Sequence, residues 1–287
     1  MRFVAYTPTR DPRSRDRRIG AAVGDNVFDL ADIDAFYDDI ALWRARANQA
    51  HGDPLTLSQI TLAPPIPRDA KIVCAAINYR KHGAESSLPV PDFPNLFARW
   101  TSELNIDGGK IPVPAAEPGG LDWEGELAAV VGETLSNVSP DQPSRGVFGY
   151  TVANEVSARG AQLQATTLST GQWALGKNPD RSCSLGSFVV SADSLDPSHL
   201  LIETIVDGQI MQSGPTSEMI FSIGELLAFA SRHVTLRPGD IFLTGTPDGV
   251  GFGRTPKVYM SAGSTVTVKI EGVGSITNHI VDSRYRG

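Results

Sequence analysis

The chain of 287 residues is 41% hydrophobic and carries 28 glycines and 20 prolines. That composition indicates a packed, turn-rich globular protein and excludes a disordered or fibrous chain and a disulfide miniprotein. The formal net charge of -7 gives no electrostatic reason to bind a polyanion, so nucleic acid is not an expected partner.

In chain order, the start Met1 to Arg10 shows no apolar core of a leader, and no apolar run reaches the length of a membrane span. A cytoplasmic protein without a membrane partner is expected. Short strands are predicted at Arg2 to Tyr6, Ile19 to Val23 and Val27 to Leu30, with Gly24, Asp25 and Asn26 turning between the last two. The basic stretch Arg10, Arg13, Arg15, Arg17 and Arg18 also carries Asp11 and Asp16. It reads as a solvated hairpin loop in preference to a nucleic-acid arm. From Ile33 to about Ala50, Phe36, Ile40, Leu42 and Trp43 fall at helical spacing. The segment Ala63-Pro64-Pro65-Ile66-Pro67 then breaks regular structure. A boundary there divides the chain into a small, β-rich N-terminal α+β domain (1–67) and a larger second domain (68–287).

Beyond the boundary, apolar runs at Ile72 to Ile77, Leu127 to Val131, Ser187 to Ser191, Leu200 to Val206 and Val266 to Ile270 alternate with turn residues. The domain is therefore expected to be mainly β with some α. One helix is predicted from Ser222 to Arg232 on the stripe Ile223, Leu226, Leu227 and Ala230. Cys74 and Cys183 lie in no CxxC pair or Cys-His ligand spacing and are expected to be reduced, buried thiols.

Strand alternation in Leu121-Asp122-Trp123-Glu124-Gly125-Glu126-Leu127 puts Asp122, Glu124 and Glu126 on one face. Taken alone, such a face is ordinarily solvated. A further carboxylate, Glu155, follows an apolar strand-like stretch and needs a partner. Three carboxylates without Cys or His beside them suit a hard ion, Mg²⁺ or Mn²⁺. In Asn78-Tyr79-Arg80-Lys81-His82-Gly83-Ala84-Glu85, one helical turn brings Glu85 beside His82, where a carboxylate orients the ring and raises its basicity. An isolated HxxE is more often a surface helix with incidental charges. The glycine-rich Thr244 to Gly251 loop lacks a Gly-Lys-Ser or Gly-Lys-Thr ending and is not read as a phosphate cradle. His51, His199, His233 and His279 have no partner at ligand spacing and are expected at the surface or in caps.

The chain resembles the fumarylacetoacetate hydrolase family over nearly its whole length. The resemblance is carried, in order, by Lys71-Ile72-Val73-Cys74, Asn78-Tyr79, Asp122 to Leu127, Gly149-Tyr150-Thr151, Lys177, Pro238-Gly239-Asp240 and Thr244 to Gly251. It implies a mixed β-roll core, frequent homodimers, and a Mg²⁺ or Mn²⁺ site formed by Glu124, Glu126 and Glu155. It also implies a His82-Glu85 dyad on a lid, whose Gly83 permits movement. Lys177 is expected to join the catalytic groups, and Tyr79, Arg159, Gln162 and Thr246 to bind a small oxo-acid.

Three positions depart from the family pattern: Glu155 and Gly160 stand where it usually has Asp, and Arg99 where many members have Lys. The activity that the resemblance implies is hydrolysis of a C–C bond in an acylpyruvate-like 2,4-dioxo acid through a metal-stabilised enolate. Decarboxylation or isomerisation on the same site is the alternative. A third reading, motivated by positions 155 and 160, is a catalytically weak binding protein with a degenerate metal site.

Overall fold

The computed structural model describes the chain except for residues 12, 13, 15, 50, 51, 140–145, 168–170 and 285–287. Its described strands form two sheets, one of 13 strands and one of five, and the fold is mainly β. Two central strands, Gly125–Val131 and Val147–Glu155, are buried at every position. Strands covered on both faces read as continuous apolar runs, which is why the carboxylates set into them stand out.

Gly125–Val131 pairs antiparallel with Val147–Glu155 on one side and with Ile241–Leu243 on the other. Ile241–Leu243 passes the sheet on to Ile72–Ala76, and Ile72–Ala76 to Asn95–Arg99. The five-stranded sheet, Gln209–Pro215, Leu201–Val206, Thr265–Ile270, Gly274–Val281 and Lys110–Pro112, packs its apolar side on this centre. Leu127, Val152, Ile202, Val268 and Ile276 share one cluster between the sheets. The helix Ile223–Ser231 adds Leu226 and Leu227 to that cluster. It begins with a capping box in which Ser222 and Glu225 satisfy each other's backbone N–H.

The N-terminal strands continue the larger sheet: Arg2–Thr7 pairs with Phe188–Ser191, then with Arg18–Val23, which pairs with Asn26–Asp32. Phe3 packs on Phe36 and Phe148 with ring centroids 5.5 and 5.1 Å apart, so residues from both sides of the proline-rich segment share one core.

Two expectations are corrected. The single helix from Ile33 to Ala50 is two helices, Ile33–Asp38 and Ile40–Ala47. The break falls at Asp39, whose side chain accepts from Leu42 N at 3.0 Å and caps the second helix. A short acidic side chain that bonds its own backbone competes with helix continuation. The basic loop is not uniformly solvated: Arg17 is only 5% exposed, and Arg18 pairs with Asp29 at 2.5 Å. Arg13, Arg15 and His51 lie outside the described residues. Cys74 and Cys183 are free and buried as expected.

Candidate metal centre

Strand geometry builds the carboxylate cluster. Glu126 lies in the strand Gly125–Val131 and Glu124 immediately precedes it, and Gly125 pairs with Asn154. Glu124 therefore stands opposite Glu155 on the neighbouring strand, where the Glu155 N–H donates to the Glu124 carbonyl at 2.8 Å. Directly opposed and alternate residues share a face, and here an oxygen from each of the three carboxylates lies within 4.8 Å of the others. All three residues are buried, so the reading of a solvated acidic face does not hold.

Burying three like charges is costly unless cations offset them. Lys177, 3% exposed, donates to Glu124 and, at 2.9 Å, to Glu155. Arg159 donates from Nε to Asp122 at 2.8 Å, from Nη2 to Glu124, and from Nη1 to Gln162 at 2.7 Å. Burial opposes ionisation of Glu124, but Lys177 and Arg159 outweigh it and hold its carboxyl below the ordinary range. Burial, then Glu155 and Glu124, push Glu126 well above that range. Glu155 Oε1 accepts no hydrogen bond among the described residues, with Arg99 Nη1 3.7 Å away.

An unfilled carboxylate oxygen beside two further carboxylates, with no softer donor in the cluster, fits a hard divalent ion. The nearby thiols do not compete for it: burial pushes Cys183 up to about 11 and Cys74 well above its ordinary value, so both stay protonated.

The glycine-rich loop binds carboxylates, a role the sequence reading missed. Gly245 N donates to Glu126 at 2.8 Å, Gly249 N to Glu85 at 2.9 Å, and Gly251 N and Phe252 N to Asp122 at 2.7 and 3.1 Å. Gly245 and Gly249 adopt φ of 96° and 100°, a backbone region costly for residues with a Cβ.

His82 and Glu85 lie in the helix Arg80–Glu85, with Nδ1 and Oε1 2.8 Å apart. His82 lines the same cavity, about 40 Å³, as Glu124, Glu126, Glu155, Arg159, Gln162, Lys177 and Thr246. The rings of Phe97 and Trp173, 5.2 Å apart, form its apolar wall, and Lys177 Nζ lies 5.1 Å from the Phe97 centroid. Thr246 donates its hydroxyl to the Gly125 carbonyl and accepts from Gln212, both at 2.8 Å, so that proton is already committed.

Tyr79, expected among the substrate-binding residues, lies outside the lining. It is fully buried in the apolar cluster between the sheets. His199, His233 and His279 are exposed.

The acid missing at position 160 has a counterpart. Glu117, 6% exposed, accepts from Gly160 N at 2.9 Å and Ala161 N at 2.6 Å. It thereby holds the turn Arg159–Gln162 that carries two cavity residues.

Residues 71–281 match the family described as fumarylacetoacetate (FAA) hydrolase C-terminal. The chain is 41% identical to a mitochondrial oxaloacetate tautomerase of Xenopus laevis, over 98% of this chain and 90% of that protein. It is 36% identical to a Sphingomonas 2,4-didehydro-3-deoxy-L-rhamnonate hydrolase, over 86% of each. Its structure is similar to that of a Sphingobium maleylpyruvate hydrolase in complex with manganese(II) ion and pyruvate. The TM-score is 0.79 at 25% identity, covering 99% of this chain and all of that one.

Proposed function

We propose, from the premise that this chain belongs to the fumarylacetoacetate hydrolase family, that it is a divalent-metal-dependent enzyme interconverting enol and keto forms of a small oxo-dicarboxylic acid of the oxaloacetate type. One observation carries this reading: His82, hydrogen-bonded to Glu85 at 2.8 Å, lines the same cavity as the three clustered carboxylates and Lys177. The 41% identity with an oxaloacetate tautomerase, over 98% of this chain, supports it.

Glu124, Glu126 and Glu155 would hold Mg²⁺ or Mn²⁺, which when bound supplies Lewis-acid polarisation of the oxo group. In the enol-to-keto direction His82 takes the proton from the enol hydroxyl and delivers it to the carbon beside that group, and in the reverse direction it takes the proton from that carbon and delivers it to the oxo oxygen, so the ring ends in its starting state. Glu85 orients the ring through their 2.8 Å hydrogen bond. Tautomerisation needs only this one shuttle and consumes no water. With all groups ionised, Asp122, Glu124, Glu126 and Glu155 exceed the cations Arg99, Arg159 and Lys177 by one charge. A divalent ion turns that deficit into one net positive charge, which suits an anionic substrate. Arg159, Lys177 and Gln162 are the groups that meet its carboxylates, between the walls of Phe97 and Trp173.

The second reading, hydrolysis of the C–C bond of an acylpyruvate-like 2,4-dioxo acid, is favoured by the hydrolase relative and by the pyruvate in the maleylpyruvate hydrolase structure. In that reaction His82 activates water. The deciding experiment follows enol-to-keto conversion of oxaloacetate and, separately, pyruvate release from acylpyruvates, with Mg²⁺ or Mn²⁺ and with EDTA. We expect metal-dependent acceleration of the first. His82→Ala should lower turnover by about 10²–10⁴-fold and leave Mn²⁺ affinity unchanged. Pyruvate release without acceleration of the enol–keto step makes the protein a hydrolase, and unchanged turnover in His82→Ala removes the dyad from the chemistry. We also propose a homodimer, on the family's behaviour, which a monomer mass by light scattering would overturn.

A further inference from the structure

A second cavity, of about 820 Å³, shares no lining residue with the metal centre. Among the described residues five cations line it, Arg10, Arg17, Arg68, Lys110 and Arg181, against two acids, Asp11 and Asp107. This is a local excess of positive charge on a chain whose net charge is -7.

Arg17 is the unusual member. It is 95% buried by its relative exposure of 5%, yet among the described residues it makes no ion pair. Among the described residues its guanidinium makes one hydrogen bond, from Nη1 to the Ile66 carbonyl at 3.3 Å, and Nε has no partner. A buried guanidinium normally binds a carboxylate or phosphate through its fork of N–H groups. Here burial, then the like charge of Arg68, lower Arg17 to about 10 against a weaker pull from Asp34. An oxyanion between the two guanidinium groups would relieve both the missing hydrogen bond and the repulsion.

We propose that this groove binds a small oxyanion ligand, a phosphate- or carboxylate-bearing metabolite, between Arg17 and Arg68. The cavity volume suits a metabolite. Its position matters to the metal centre: Leu104–Ile106 in its wall pairs with Cys183–Leu185, and Cys183 pairs in turn with Glu155. Only one strand separates the groove from a carboxylate of the metal cluster.

The test is calorimetric titration of the full-length Mg²⁺-loaded protein with inorganic phosphate and, separately, with succinate. Expected is binding of at least one of them, about tenfold weaker in Arg17→Gln and in Arg68→Ser and unchanged in His82→Ala. Phosphate alone identifies a phosphate-bearing ligand, and succinate alone a carboxylate-bearing one. Should Arg17→Gln fail to fold, Arg68→Ser, at an exposed position, decides by itself. The proposal is overturned if neither anion binds, if Arg68→Ser binds with wild-type affinity, or if binding is lost in His82→Ala, which would assign the anion to the metal cavity.

Discussion

Among the clustered carboxylates, Glu124 and Glu126 differ in the direction of their proton affinity although they are two residues apart. Lys177 and Arg159 hold Glu124 ionised against its burial, whereas burial, Glu155 and Glu124 keep a proton on Glu126 beyond the ordinary carboxylate range. A cation that uses Glu126 must displace that proton, so metal binding should release protons, and apparent affinity should climb as pH rises through the raised Glu126 titration and then level off. Stability of the metal-free fold has the opposite sign. The contribution of Glu126 is fully present below the ordinary carboxylate pKa and is lost as pH rises from there through the raised Glu126 titration, because over that range only the unfolded chain gives up the proton. Mn²⁺ titrations at a series of pH values, in two buffers of different ionisation enthalpy, read the proton release directly. A pH-independent affinity with no buffer dependence would contradict the assignment.

The turn Arg159–Gln162 illustrates how much of the centre depends on a neighbouring element. A Cβ built on Gly160 would stand 2.6 Å from Glu117 Oε2, so Gly160→Ala must displace the carboxylate or the turn. The expected outcome is a folded protein destabilised by about 1–3 kcal/mol, with a raised KM for the oxo-acid because Arg159 and Gln162 shift together. Thermal denaturation and steady-state kinetics check this, and wild-type KM at unchanged stability would show that Glu117 does not position the turn. Glu117 also marks the limit of what the sequence reveals. Alternation put Glu124 and Glu126 on one face and one helical turn put Glu85 beside His82, their roles followed from the family resemblance, and the strand core followed from apolar runs. Glu117 lies 43 residues from Gly160, Asp122 lies 37 from Arg159, and Glu126 lies 119 from Gly245. Such contacts arise only when strands distant in sequence become neighbours, and no local period encodes them. The helix break at Asp39 escapes the sequence for the opposite reason: apolar periodicity hides a local cap.

At the scale of the molecule, the proposed division at residues 67 and 68 concerns whether the two parts fold separately. Arg2–Thr7 supplies the sheet neighbour of Phe188–Ser191, and Phe3 covers Phe148. A chain of residues 68–287 would expose an unpaired strand edge and an aromatic core surface, both aggregation hazards. We expect it to be insoluble or to melt well below the full chain, and a monodisperse, active 68–287 fragment would establish an independent catalytic domain. The buried cations bear on a different whole-molecule property. Since Lys177 and Arg159 already engage Glu124, the polypeptide neutralises most of its own cluster, unlike small domains that need a metal to fold. EDTA should therefore abolish turnover while lowering the melting temperature by only a few degrees, whereas collapse of the fold on chelation would give the ion a structural role. In the life of a cell this separates protein maturation into two stages. A newly synthesised chain can persist, folded and protected from proteolysis, as a reserve that starts to work when the supply of the ion recovers.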